Sequence, residues 1–373
     1  MKRVIVIFIH LVCFGVVFPG GIREYTHEAI RSFEEPVIGA VHDPSSRLSI
    51  TTDRYKHLSH SLRWSWNSND ATWSIRDEIG YTSPKTASDP SISTFVFWVY
   101  SEKTMAEARL KVEFLKEGKV ASHFEYGLNF TGWRGAWVAF DRDMEGEPQE
   151  GMDEVRFSVP GQPAGTLYFD HLILSSMQDA RHHTADTQAP FVNPETESHW
   201  LILNQSWNAA FDLPLREISQ TEEDAMHTIE ERVRSYLLQE TKAKNADQLK
   251  AEVEQYRITL LDDGSTRGVP LFFERYGETY ERFGAPRYNL IYGNEMGLKR
   301  FNRTLLNLSL SYNLSRDPVE KKEIESLYIK MIRHMLDQGF QAGSAMGTLH
   351  HLGYSMRDYY PSIFLMNRVL ERN

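Results

Sequence analysis

"STFVFWVY", residues 93–100, is a short run of β-branched and aromatic residues, the composition of a strand. Similar runs flank it: "ARLKVEFLKEGK" (108–119), "AWVAFDR" (136–142), "DEVRFSV" (153–159) and "GTLYFDHLIL" (165–174). Gly, Pro, Asn and Asp separate them at the spacing of an all-β sandwich. "LKEGKV" places Glu-Gly between alternating runs, a hairpin signal. Aromatic and β-branched residues alternate with polar ones, so one face is expected buried and one wet. The reading is a β-sandwich of jelly-roll type from about Ile30 to Ser176.

After His199 the period changes to that of helices. In "TEEDAMHTIEERVRSYLLQE" (221–240), Thr221 is expected to cap a helix whose stripe is Met226, Ile229, Val233 and Leu237. In "DPVEKKEIESLYIKMIRHMLDQG" (317–339), Asp317 caps, Pro318 takes the first turn and Gly339 ends the helix. Ile324, Leu327, Met331 and Met335 form the stripe of this second helix, and His334 beside it reads as a packed histidine. The segment between the halves, with two prolines and His182 and His183, reads as a solvated linker. The expected division is 1–20 signal peptide, 21–178 β-sandwich, 179–198 linker and 199–373 helical domain.

The 373 residues carry a net charge of −10, with 41% apolar and 12% aromatic residues. Up to Ser198 there are 19 basic and 27 acidic residues, and from His199 onward 22 and 24. So acidic a chain argues against nucleic acid as partner, and a polyanion would need a local basic groove, for which the second half is better provided. Lys2 and Arg3 followed by an apolar run to Phe18 read as a secretory signal, too short for a membrane span. The single cysteine, Cys13, lies inside that run, so the expectation is an exported bacterial protein, periplasmic or secreted, without disulfides.

"SISTFVFWVYSEK", "LNFTGWRGAWVAFDRDMEG", "GTLYFDHLIL", "TQAPFVN" and "HHLGYSMRDYY" (350–360) resemble the chondroitin sulfate ABC lyases of polysaccharide lyase family 8, from about residue 30 to the end. The resemblance implies a multidomain β-then-α chain: an N-terminal jelly-roll β-sandwich followed by a partial (truncated) α/α toroid. It implies β-elimination at a uronic acid, with chondroitin or dermatan sulfate as substrate and hyaluronan as neighbour. No stretch matches the family's catalytic histidine, tyrosine, arginine and glutamate motifs, so no catalytic residue is assigned and a second chain is one way to complete the helical domain. The alternatives are a non-catalytic module that binds acidic polysaccharide and an inactive gene fragment.

Candidate substrate-contacting residues are His350, His351, Tyr354 and Arg357, together with Trp133 and Arg134 of "GWRG". Arg357 suits a sulfate or carboxylate because a guanidinium is planar and bidentate. Two glycines around Trp133 and Arg134 suggest an exposed turn, whereas core packing is the alternative for that tryptophan and for Trp64, Trp66 and Trp73. "DRDMEGEPQEGM" (141–152) nearly spells a calcium loop but ends on Met152 where a bidentate Glu is needed. Jelly-roll carbohydrate modules often hold a structural calcium between first and last strands. "FEEP" (33–36) and "YFD" (168–170) resemble those places, making Glu34 and Asp170 candidate ligands with carbonyls near Ser59 and His60.

Overall fold

The structure, a computed structural model, describes residues 30–36, 39–56, 59–84, 91–179, 219–239, 242–268, 289–339 and 357–373. The expected signal segment and linker lie outside the described residues, the linker apart from its first position, Asp179.

The first half forms β1 (Ile30–Arg31), β2 (Ala40–His42), β3 (Ser46–Thr51), β4 (Ser61–Trp66), β5 (Thr72–Arg76) and β6 (Ser91–Ser101). It continues with β7 (Arg109–Lys116), β8 (Lys119–Gly127), β9 (Gly132–Ala139), α1 (Phe140–Asp143), β10 (Glu145–Gly146), β11 (Glu154–Ser158) and β12 (Gly165–Asp179). One antiparallel sheet runs β3-β4-β12-β6-β9, with β1 also on β12; the other runs β10-β8-β7-β11-β5-β2. The expected hairpin joins β7 to β8, with Glu117 and Gly118 both at positive φ as a primed turn demands.

Between the sheets lies a core rich in aromatic side chains. Trp73 stacks on Phe157 with centroids 4.2 Å apart, and Trp64 lies 4.4 Å from Trp66. All three tryptophans are buried, as core packing requires. "STFVFWVY" forms most of β6. Phe95, Phe97 and Val99 point into this core, while Trp98 and Tyr100 point the other way. A strand buried on both faces carries an unbroken apolar run instead of alternation.

The second half is built from α2 (Gln220–Gln239), α3 (Ala246–Glu254), β13 (Thr259–Leu260), β14 (Thr266–Arg267), α4 (Asn289–Leu314), α5 (Pro318–Asp337) and α6 (Tyr359–Leu370). Asp317 caps α5 by accepting from Val319 N, Pro318 stands in the first turn, and Gly339 follows at φ +95°. The cap of α2 differs from expectation. Ser219 and Glu222 form a reciprocal capping box, each engaging the other's backbone N–H, two residues before Thr221.

The outer face of the first sheet is covered by these helices. Tyr168, Tyr100 and Trp133 stand in one cross-strand row, edge-on at 5.7 and 5.4 Å. With Trp98 they share a second core with Leu249, Tyr256, Phe301 and Met335. The glycines of "GWRG" are explained by this contact. A Cβ on Gly132 (φ +81°) would lie 2.9 Å from Asp337 O, and one on Gly135 would lie 2.7 Å from the Trp98 indole. They mark close packing of β9 against α5 and against β6, not an exposed turn.

Candidate functional site

Two polar constellations lie in and beside the helical part. The first is the joint itself. The segment after β3, "DRYK" (53–56), reaches across to the helical half. Arg54 is buried, pairs with Asp263 and lies 5.2 Å over the Tyr100 ring. Arg267 Nη1 donates to Thr52 O at 3.1 Å.

Lys56 is wholly buried. Its ammonium donates to Gln338 O at 2.7 Å and Gln338 Oε1 at 3.0 Å, and sits 4.1 Å over the Trp98 ring. A cation just past the end of α5 also suits the helix dipole. Burial nevertheless drives Lys56 down to about 7, with Asp170 and Asp337 opposing the shift. Burial likewise pushes Asp337 up to about 6, although Thr266, Tyr100 and Arg54 favour its charged form. His334 is buried and its Nδ1 lies 2.9 Å from Thr266 Oγ1, the packed histidine expected.

The second constellation is where α6 begins. The Asp358 carboxylate, 9% exposed, meets Arg303 Nε of α4 at 2.9 Å through Oδ2 and Arg357 Nε at 3.6 Å through Oδ1. Arg303 and Arg357 are 52% and 63% exposed. Tyr360 is exposed and packs edge-on to Tyr359 at 5.7 Å. Of the expected contact residues Arg357 stands here, while His350, His351 and Tyr354 lie outside the described residues.

Trp133 and Arg134 are elsewhere. Trp133 is 1% exposed and offers no ring face to a sugar, because the helices occupy the side of β9 to which it points. Arg134 is buried with its guanidinium 5.1 Å over Phe130, and burial lowers its pKa. Neither lies in the exposed turn expected from the flanking glycines, and Trp133 follows the core-packing alternative.

The proposed calcium ligands are held by N–H groups. Glu34 accepts from Ser59 N and His60 N at 2.8 Å and from Ser59 Oγ at 2.7 Å, and its Oε2 lies 2.7 Å from His60 Nδ1. Burial raises its pKa, but these hydrogen bonds outweigh it and leave Glu34 below the usual range. Asp170 is buried and accepts from Lys56 N and His171 N, both at 2.6 Å. A calcium shell needs six to eight oxygens. Here donors face the carboxylates, and no group of three or more His, Cys, Asp or Glu side chains suited to a metal occurs among the described residues. As arranged, the set clamps a loop and does not fit that ion.

Comparison with known proteins bears on the whole chain. The family model "Lyase, N terminal" matches residues 27–191, and "Lyase, catalytic" matches residues 213–373. The chondroitin sulfate ABC exolyase of Bacteroides thetaiotaomicron is 37% identical over 352 residues, covering 92% of this chain and 34% of that protein. The chain belongs to the chondroitin sulfate ABC lyase family. Two Proteus vulgaris relatives, a chondroitin sulfate ABC exolyase and an endolyase, are 29% and 27% identical. Each covers 88% of this chain, and the chain spans about a third of the length of all three relatives.

Within that frame the joint and Arg303 escaped the sequence reading. "KRFNR" (299–303), a basic cluster on a helix, was the available signal for Arg303. Lys56 had none: its partner Gln338 is 282 positions away. Among the described residues no helix is long and apolar enough to cross a membrane.

Proposed function

We propose that this chain is the polymer-contacting front part of an exported glycosaminoglycan lyase acting on chondroitin or dermatan sulfate. On this reading a jelly-roll sandwich buttresses the opening helices of an α/α toroid. The observation that carries it is the match of both lyase family models, in order, along one chain. The reaction would break the C4–O bond after a base removes the C5 proton of the uronate. A cation or hydrogen-bond donors stabilise the charge on the carboxylate, an acid protonates the leaving oxygen, and a C4–C5 double bond forms.

No proton-moving group is assigned to these residues, since none of their stretches matches the family's catalytic histidine, tyrosine, arginine and glutamate motifs. Met226, Ile229, Val233 and Tyr236 of α2 form an exposed apolar seam at helical spacing. A helix from a second chain completing the helical domain is the proposed occupant of that seam.

The sandwich acts as support and not as a separate sugar module, since the aromatic row on its outer face is covered by the helical half. Polymer contact then falls to Arg357 and its neighbours. The test is to mix the purified chain with chondroitin sulfate and follow both polymer retention and ultraviolet absorbance of the unsaturated product. Retention without an absorbance rise is expected. A rise would place the proton-transfer groups within these residues, and failure to retain the polymer at low salt would sink the reading. The same outcome of retention without cleavage fits a non-catalytic binding module; restored cleavage on adding the missing part of a relative separates the two.

A further inference from the structure

Arg303 and Arg357 come from different parts of the helical half, yet both turn Nε to the same carboxylate. Each takes its own oxygen of Asp358, so one negative charge faces two positive ones. Each arginine side chain is nonetheless more than half exposed, so both are open to solvent while paired with Asp358. Arg300, one turn before Arg303 on α4, is exposed as well. The exposed ring of Tyr360 lies three residues from Arg357 in the chain. Fixed guanidinium groups with net positive charge suit a planar or tetrahedral oxyanion, and an aromatic face suits a sugar ring.

We propose that Arg303 is a second anion-binding residue beside Arg357. The two guanidinium groups, aimed by Asp358, together grip a sulfate or uronate carboxylate of an acidic polysaccharide while Tyr360 supports the adjoining ring. The inference rests on the reading of this region as polymer-contacting, and it adds a residue from α4 and a positioning role for Asp358. A surface ion pair that only tied α4 to α6 would contribute little to stability and nothing to polymer binding.

The experiment is an anisotropy titration of the full chain with fluorescently labelled chondroitin sulfate at several salt concentrations, repeated with unsulfated chondroitin. Arg303→Ala and Arg357→Ala are each expected to weaken binding about tenfold and to make the salt dependence shallower. Arg303→Lys should restore less than half of the lost binding, because an ammonium cannot replace a bidentate fork. Asp358→Asn adds net positive charge yet should weaken binding, since the pair loses its anchor. Tighter binding in that variant would overturn the positioning role. Circular dichroism and melting of each variant confirm folding. Wild-type binding that Arg303→Ala or Arg303→Lys leaves within twofold would overturn the proposal for Arg303 and leave the general reading intact. No wild-type binding at low salt would overturn both. An Arg303 effect confined to the sulfated polymer identifies sulfate as the gripped group; an equal effect on both identifies the uronate.

Discussion

Lys56 sets the pH behaviour of the joint. Its ammonium is enclosed by Trp98 and Gln338, and the facing titratable groups are Asp170 from β12 and Asp337 at the end of α5. Burial lowers its pKa in the folded chain to about 7 from an ordinary 10.5. Between those values the unfolded chain holds a proton that the folded chain has released. Stability therefore rises with pH across that window, and the cost of enclosing the charged form is present in full below it. Asp337 works in the opposite sense and at lower pH. Raised to about 6, it contributes stability below about pH 4 that is lost as pH climbs through its folded value. Lys56→Met keeps the bulk and removes the titration. Urea unfolding at a series of pH values from 7 to 10 should show the wild type gaining on the variant by about 2–4 kcal/mol. Parallel curves would show that Lys56 keeps its proton in the folded state.

At the scale of elements, α2 is the piece whose sequence and surroundings disagree. Its stripe was legible from spacing, and the helix forms where expected. Yet Met226, Ile229 and Val233 are exposed, and only Leu237 of the expected stripe is partly covered. Arg234 ties the other side down, reaching Leu365 O at 3.2 Å and Asn313 Oδ1 at 3.3 Å. Replacing Ile229 and Val233 with Ser should therefore change unfolding free energy by no more than about 0.5 kcal/mol each. It should also reduce self-association seen by light scattering at high protein concentration. A loss of several kcal/mol would mean that these side chains are covered within the chain. The strands, by contrast, were read from alternation and turn residues, both local signals. What covers the second face of β6 was not local. Trp98 and Tyr100 share a core with Phe301 and Met335, hundreds of positions away, so "GWRG" looked like a turn when Gly132 makes room for Asp337 across the joint and Gly135 for Trp98 on β6. The candidate site was legible at Arg357 through its motif, whereas at Arg303 the basic cluster "KRFNR" carried no sign of its partner, because only folding brings α4 to Asp358.

Across the whole molecule, the two halves share a second core to which the sandwich contributes four aromatic side chains. Trp98, Tyr100, Trp133 and Tyr168 would be left bare on a sandwich without its helices, Lys56 would lose Gln338 and Arg54 would lose Asp263. The apolar contact and the buried polar bonds both cross the joint, so opening it exposes both at once. The halves should consequently unfold together, in a single transition followed equally by tryptophan fluorescence and by the helical circular dichroism signal. Trp133 is the most informative place to test this, because it sits in the joint and outside the sandwich core. Trp133→Ala should cost about 3–5 kcal/mol, the range for deleting a buried large aromatic side chain. Since the loss falls on the contact between halves, the helical signal should then melt below the strand signal, splitting one transition into two. If the transitions already differ in the wild type, the joint is weaker than its burial implies. The sandwich would then be free to act apart from the helices.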